Sequence, residues 1–115
     1  MKGAKGEPRQ SLSAPSLLER PVGIAVNESQ TAMLRCATDG NPKPKVTWSK
    51  LNSTLPFGRH VVDSRGQLIV RDIRRGDEGV YLCRAESFLG QVNASAKLYV
   101  YCKSFFFLSK YRTVS

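Results

Sequence analysis

The residues of this chain that could carry out chemistry are few and widely separated. The sequence has one histidine, His60, and three cysteines, Cys36, Cys83 and Cys102, among 115 residues. A zinc site needs several cysteine or histidine ligands at short, characteristic spacings, and no Cys-x-x-Cys pair occurs here. No serine lies in a nucleophile-elbow sequence, and a lone histidine is more often a surface or hydrogen-bonded residue than a catalyst. The sequence therefore predicts no catalysis, no cofactor and no metal site.

The asparagines carry the clearest signal of covalent modification. Three of the four begin an Asn-x-Ser/Thr glycosylation sequon, namely Asn27, Asn52 and Asn93. With 17 Ser and Thr residues in the chain, three such matches would arise by chance roughly 1% of the time. We expect all three asparagines to lie at turns or strand edges, where a glycan leaves the core undisturbed. Together with a possible cysteine pair, the sequons indicate the secretory pathway and an extracellular or cell-surface location.

The elements that would position these residues are β-strands. Apolar and polar residues alternate with period two in short runs, and no helical period extends across any window. The runs lie at 24–26, 32–36, 46–48, 68–70, 81–85 and 96–100. Turn-forming residues separate them, at 39–42, 64–66 and 87–90. This pattern predicts an all-β, antiparallel sandwich of two sheets.

Two cysteines, a tryptophan and a tyrosine occupy positions typical of one β-sandwich family. Trp48 follows Cys36 by twelve residues, and Tyr81 precedes Cys83 by two in the segment DEGVYLC. With GNPKPKVTWSK, GQLIVRDIRRGDEGVYLC and AESFLG, residues 15–100 closely resemble the I-set of the immunoglobulin superfamily. The resemblance implies a Greek-key sandwich in which a Cys36–Cys83 disulfide links the sheets and Trp48 packs on it.

The same resemblance implies structural roles around the turn that precedes Tyr81. Asp77 would cap this turn and pair with a basic residue such as Arg59, and Gly79 would let the turn pass close to the sheet. Tyr81 would occupy the tyrosine-corner position, with its hydroxyl tied to the preceding turn. An intracellular, muscle-type I-set domain is the alternative within this family, because such domains need no disulfide. The sequons count against it.

The net charge of +9 first suggests nucleic acid as a partner. More than half of this charge, however, lies in residues 1–14 and 101–115. Within 15–100 the basic residues are scattered, apart from Arg74-Arg75, and no aromatic residues interleave with them. We therefore predict no nucleic-acid binding. The chain also has no apolar run of about 18 residues, so we predict no direct insertion into a membrane.

Both ends of the chain differ from the middle. Residues 1–14 read as a linker, either a flexible tail or the end of a collagen-like segment, because they include two triplets that begin with glycine. Residues 101–115 form an atypical tail with Cys102 and a Phe-Phe-Phe-Leu run. The tail is an interaction segment, a truncated juxtamembrane region or a gene-model artefact, and we favour the artefact. Secretory features without a signal sequence lead us to expect a fragment of a longer protein.

Three functions follow from these features. The first is an extracellular adhesion or matrix module that binds another protein, homophilically or heterophilically. The second is a module that binds glycosaminoglycan, and the third is a passive spacer between other domains. The alternation predicts one mixed outward face with three cations, a leucine and a tyrosine, which suits a protein interface. Its residues are Lys45, Thr47, Leu82, Arg84, Lys97 and Tyr99. We expect a glycan on Asn93 to shade only one edge of this face.

The sequons give a first test. Expression in a secretory host should add glycan mass at Asn27, Asn52 or Asn93, because each sequon is expected at the surface. Intact-mass measurement before and after treatment with an amide-cleaving glycosidase would detect it. Protein from such a host with no added mass would favour the intracellular alternative.

Overall fold

The protein is described by a computed structural model in which residues 11–101 form nine short β-strands and one 3₁₀ turn. The all-β class predicted from the alternation is confirmed. The strands are β1 (Ser13–Glu19), β2 (Ile24–Asn27), β3 (Ala32–Leu34), β4 (Ala37–Asn41), β5 (Lys45–Lys50), β6 (His60–Val62), β7 (Leu68–Val70), β8 (Gly79–Ser87) and β9 (Gly90–Tyr101). The 3₁₀ turn covers Arg75–Asp77, directly before β8.

The strands form the two layers of a sandwich. One layer is a four-stranded sheet in the order β2-β9-β8-β5, in which β2 runs parallel to β9 and the other pairs are antiparallel. The second layer consists of a three-stranded sheet, β3-β7-β6, and a two-stranded sheet, β1-β4. Only two residues, Arg35 and Cys36, separate β3 from β4, so these sheets follow one continuous stretch of chain.

A buried apolar cluster fills the space between the layers. Trp48, Tyr81 and Leu98 enter it from the four-stranded sheet, and Leu34 and Leu68 enter it from the opposite layer. In each strand these residues belong to the inward set of the alternation, because successive side chains point to opposite faces. The set that contains the cysteine and the tryptophan is the buried one, as predicted.

A disulfide joins the two layers through the middle of this cluster. Cys36, between β3 and β4, is bonded to Cys83 on β8, and their Cα atoms are 6.5 Å apart. Trp48 lies directly opposite Cys83 in the register of β5 and β8. Its indole N–H donates to the carbonyl of Gly66 at 2.8 Å, which ties β5 to the turn between β6 and β7.

Gly66 is required at this turn for two reasons. Its φ of +87° lies in the left-handed region, where other residues are strained. A Cβ atom at this position would also lie 2.9 Å from the carbonyl oxygen of Cys36. Because that oxygen is backbone next to the disulfide, it cannot move aside, so a side chain here would push the turn away from Trp48.

The structure corrects several predicted boundaries. β1 begins at Ser13, inside the predicted linker 1–14, because Ser13 pairs with Asn41 of β4. For the same reason residues 39–41 are strand rather than turn. The run 32–36 is not one strand, since pairing with β7 stops at Leu34 and pairing with β1 begins at Ala37. The predicted collagen-like triplets and Cys102 lie outside the described residues.

The last strand extends slightly past the predicted end of the domain. β9 continues to Tyr101, because its last residues pair with β2 up to Asn27. It thus ends one residue after the predicted boundary at residue 100. The rest of the predicted tail, 102–115, lies outside the described residues.

Removal of the disulfide gives a test of this architecture. The two cysteines are 47 residues apart, so loss of the bond releases about 4 kcal/mol of loop-closure entropy in the unfolded chain. We expect the Cys36→Ala, Cys83→Ala double variant to be less stable than the native chain by about this amount in urea unfolding. Non-reducing peptide mapping should find Cys36 joined to Cys83, and a bond from Cys102 to either residue would contradict the structure.

Candidate binding face

The outward side of the β2-β9-β8-β5 sheet, called the outer face below, carries the six residues singled out by the alternation. Lys45 and Thr47 project from β5, and Leu82 and Arg84 from β8. Lys97 and Tyr99 project from β9. Five of the six are exposed and Leu82 is half-buried. The structure therefore brings all six onto one surface.

The register arranges this surface in rows across the strands. Lys45 lies opposite Glu86, Thr47 lies opposite Arg84, and Leu82 lies opposite Ser49. On the other side of β8, Leu82 lies opposite Ser95 of β9. Since directly opposed side chains are about 5 Å apart, each row forms a continuous contact surface.

The half of the face near the β8–β9 turn is polar. Arg84 Nε donates to Oε1 of Gln91 at 2.8 Å and lies 3.6 Å from a carboxylate oxygen of Glu86. These contacts hold the guanidinium against the sheet and partly compensate its charge. This half therefore presents oriented polar groups rather than a free cation.

The other half of the face is more apolar. Val80 and Leu82 are half-buried there, and Tyr99 and Tyr101 are 45% and 52% exposed. The Lys97 ammonium lies 6.0 Å from the centre of the Tyr99 ring, a cation–π contact. A depression of about 150 Å³ lies at this end of the face, and Val80, Lys97 and Tyr99 are among the residues that line it.

Asn93 lies midway along this face but on its lateral margin, because β2 pairs with β9 only at residues 98–101 and β9 is the outermost described strand at residue 93. It is the fourth residue of β9, it is exposed, and it lies directly opposite Arg84. Asn93 lies within a strand rather than in the turn, because β9 begins immediately after the turn, at Gly90. Since β9 is the outer strand of the face at this level, the expected shading of one edge stays a prediction. Asn27, at the end of β2, and Asn52, in the turn after β5, are exposed where expected.

A buried ion pair holds the start of β8, on which the face depends. Arg59 donates from Nη1 and Nη2 to the two carboxylate oxygens of Asp77 at 2.8 and 2.9 Å. Asp77 also accepts the backbone N–H of Arg74 at 2.7 Å, which caps the 3₁₀ turn. The Tyr81 hydroxyl donates to the Asp77 carbonyl at 2.6 Å. Asp77 is 4% exposed, so this turn offers no carboxylate to a partner.

The electrostatics of this cluster favour the ionised Asp77. Burial raises the pKa of its carboxyl, but the hydrogen bonds from Arg59 and the Arg74 amide, with the charges of Arg59 and Lys50, outweigh burial and leave the pKa below its usual value. Burial, with the Asp77 charge, raises the pKa of Tyr81 to about 12. At physiological pH Asp77 is therefore ionised and Tyr81 is neutral. The Asp77 carboxylate can then accept from Arg59, and the Tyr81 hydroxyl can donate to the Asp77 carbonyl.

Gly79 follows this cluster and begins β8. A Cβ atom there would lie 2.9 Å from Cε of Lys50. Lys50 donates to the carbonyl of Gly76 at 2.7 Å, and its ammonium lies 5.6 Å from the Tyr81 ring centre. Gly79 thus lets the Lys50 side chain cross the strand to the turn.

Two further ionisable side chains, those of His60 and Asp63, make contacts within the fold. His60 Nδ1 lies 2.8 Å from the carbonyl of Pro56, a contact in which the ring N–H donates. Asp63 accepts the backbone N–H groups of Arg65 and Gln67, both at 2.9 Å, within a cleft of about 530 Å³.

Among residues 11–101 no group of three His, Cys, Asp or Glu side chains could hold a metal ion. No helix in this range is long and apolar enough to cross a membrane.

Comparison with known proteins identifies the family. Residues 15–100 match the model of the immunoglobulin I-set domain. The chain belongs to the I-set of the immunoglobulin superfamily. Human Roundabout homolog 2 is 37% identical over 86 residues, which are 75% of this chain and 6% of that protein. This I-set chain thus spans only a small part of the length of that relative.

Solved structures agree with this I-set assignment. In the titin M10–obscurin-like 1 Ig complex, a chain is 31% identical with a TM-score of 0.73, over 78% of this chain and 96% of that one. Extracellular domains 3–5 of Drosophila OTK give 28% identity and a TM-score of 0.71, over 78% of this chain and 32% of that one. Both solved structures therefore share the I-set fold with this chain.

The sequence analysis missed four residues of the outer face that surround the six predicted ones. Glu86 and Gln91 hold Arg84, and Val80 and Tyr101 extend the apolar half. Val80 and Tyr101 follow the same alternation, so extending the pattern by one residue in each strand would have found them. The contacts of Arg84 depend on the pairing of β8 with β9, which the alternation does not give.

The Arg59–Asp77 pair gives a prediction for the I-set domain. Because the folded-state pKa of Asp77 is lowered, the pair stabilises above about pH 4 and this stabilisation is lost as the pH falls through the folded pKa. Asp77→Asn leaves Arg59 partly buried without its counter-charge and should cost about 3 kcal/mol at neutral pH. Urea unfolding at a series of pH values would also show a flatter acid limb in this variant.

The matched control is the exposed pair of Glu19 and Arg35, whose charged atoms are 3.8 Å apart. Glu19→Gln should change the free energy of unfolding by less than about 0.5 kcal/mol. Equal effects of the two substitutions would show that the buried pair does not hold the start of β8.

Proposed function

We propose that this chain is a non-catalytic, extracellular I-set module that recognises another protein through its outer face. The observation that carries the proposal is the composition of that face. Leu82 lies near its centre, Val80, Tyr99 and Tyr101 extend an apolar half, and oriented polar groups surround them. A partly apolar centre with aromatic residues and a polar surround is the usual anatomy of a protein interface.

The family and the sequons support an adhesion-type, cell-surface setting. Three sequons with exposed asparagines fit secretion, and so does the disulfide between the layers. The OTK relative, described as extracellular domains, is built on the same fold. The contacts of the candidate catalytic groups also argue against catalysis. The carboxylates of Asp63 and Asp77 accept backbone N–H groups in turns, and His60 contacts a backbone carbonyl.

The arrangement of the cations favours a protein over a glycosaminoglycan. Lys45 and Lys97 lie opposite Glu86 and Val80, which are six residues apart on β8, so roughly 20 Å separates them. Leu82 and Arg84 lie between them along the strand, and Arg84 is already paired with Glu86. The cations therefore form no continuous line along which a sulfated chain could bind.

Substitution of Leu82 tests the proposal. Leu82 is half-buried between two serines on the neighbouring strands and lies outside the buried core, so Leu82→Asp should keep the fold at some cost in stability, which urea unfolding measures before binding is compared. We expect it to weaken binding to the partner by about 30-fold or more, as loss of a central anchor does. The measurement is surface plasmon resonance against purified cell-surface ectodomains, with a second copy of this chain included.

The control is Met33→Asp, because Met33 is 52% exposed on the opposite layer, in the middle of β3. It should leave binding unchanged. Binding that is lost with Met33→Asp and kept with Leu82→Asp would place the site on the other layer. If the chain without a glycan at Asn93 binds no ectodomain, the spacer function replaces this proposal.

Retention on a heparin column distinguishes glycosaminoglycan binding from protein binding. Reversal of Lys45, Arg84 and Lys97 to Glu should remove any salt-sensitive retention, whereas Leu82→Asp should not. Retention on heparin that follows this pattern, without ectodomain binding, would replace the protein partner by a sulfated polysaccharide.

A further inference from the structure

The sequon at Asn93 lies within the surface proposed for protein binding. Asn93 and Ser95 are both exposed and both belong to the outward set of β9, with Ala94 between them. Asn93 lies opposite Arg84, and Ser95 lies opposite Leu82. Leu82 is therefore the diagonal neighbour of Asn93, about 7 to 8 Å away. A glycan attached to Asn93 would leave the sheet at the margin of the face, one strand away from Leu82.

The distance of Asn93 from the apolar centre makes its position important. The strands of the outer face have 4, 12, 9 and 6 residues, which at about 3.3 Å per residue and 4.8 Å between strands give a flat outline of roughly 500 Å². A stable protein interface buries about 800 Å² of accessible surface on each partner, and side chains make the accessible surface of a face larger than its flat outline. A partner of ordinary size that is centred on Leu82 therefore covers most of the face and reaches Asn93, about 7 to 8 Å from Leu82.

We propose, on the basis of the protein-binding function assigned to this face, that glycosylation of Asn93 switches the face off. With the glycan attached, the oligosaccharide covers Thr47, Arg84 and Leu82 and excludes a protein surface. With Asn93 unmodified, the same surface is open. One covalent modification thus decides whether the module binds a partner or acts as a spacer, and the two forms differ in no other contact.

The sequon itself supplies a matched pair of variants. Ser95→Ala removes the sequon and keeps Asn93, whereas Ser95→Thr changes the same side chain and keeps the sequon. Both are made in a background of Asn27→Gln and Asn52→Gln, because Asn27 lies at the end of the same face, opposite Tyr101. Peptide mass spectrometry of protein from a secretory host then reports occupancy at Asn93 alone.

The probe for access is a nanobody rather than the natural partner. It is selected on the unglycosylated domain and kept only if Leu82→Asp abolishes its binding. A second nanobody, whose binding is abolished by Met33→Asp, reports on the opposite layer. The first should bind the Ser95→Thr form about 100-fold more weakly than the Ser95→Ala form. The second should bind both forms equally, and enzymatic removal of the glycan should restore the first.

Each contrary result has a distinct meaning. An unmodified Asn93 in the Ser95→Thr form overturns the switch, and so does first-nanobody binding that is equal, within about two-fold, in the two forms. Failure of the proposed function looks different. In that case the Ser95→Ala form binds no ectodomain, while the loss of nanobody binding with the glycan still occurs.

Discussion

The bond between Cys36 and Cys83 is the constraint on which the rest of this structure depends. It joins the two layers at one point, and once Cys83 faces inward, every second residue of β8 must do the same. The pairing of Trp48 with Cys83 then fixes the register of β5. The outer face is the complement of this buried set. A shift of one residue in β8 would bury Leu82 and Arg84 and expose the core.

A second contact fixes where β8 begins. The Arg59–Asp77 pair and the Tyr81 hydroxyl tie the 3₁₀ turn to the first residues of β8, next to Gly79. Charge and burial act together here, because the low-dielectric surroundings that penalise a lone carboxylate strengthen its attraction to Arg59. The core disulfide and this turn therefore hold β8 at two places. A rigid strand is what a binding face needs, since ordering it on binding would cost affinity.

Much of the fold could be predicted from the sequence, because both the core and the face obey one alternation. The inward positions of Cys36, Trp48 and Cys83 and the outward positions of Lys45 and Tyr99 all follow from period two. Boundaries could not be predicted in the same way. Residues 39–41 have turn-forming types, yet they pair with β1, and only the tertiary arrangement supplies that partner strand. The local propensity of these residues favours a turn, whereas their pairing with β1 makes them a strand, and the pairing determines the structure.

The position of Asn93 shows the same limit in the candidate site. Its sequon is visible in the sequence, and its outward direction follows from the alternation with Lys97 and Tyr99. Its place midway along the face depends on how early β9 begins and on the register with β8, which set Asn93 opposite Arg84. The contacts of Arg84 with Gln91 and Glu86 depend on that same register. Sequence therefore gives the composition of the face, and structure gives the neighbours within it.

Site-specific photo-crosslinking on living cells would test the central claim most directly, that this module recognises protein through a face controlled at Asn93. A photoreactive residue is placed at position 82 or at position 33, in domains with and without a glycan at Asn93. The account predicts a crosslink to a cell-surface protein from position 82 only, and only in the form without the glycan. A crosslink from position 33 alone, or one from position 82 of equal yield in both forms, would contradict it.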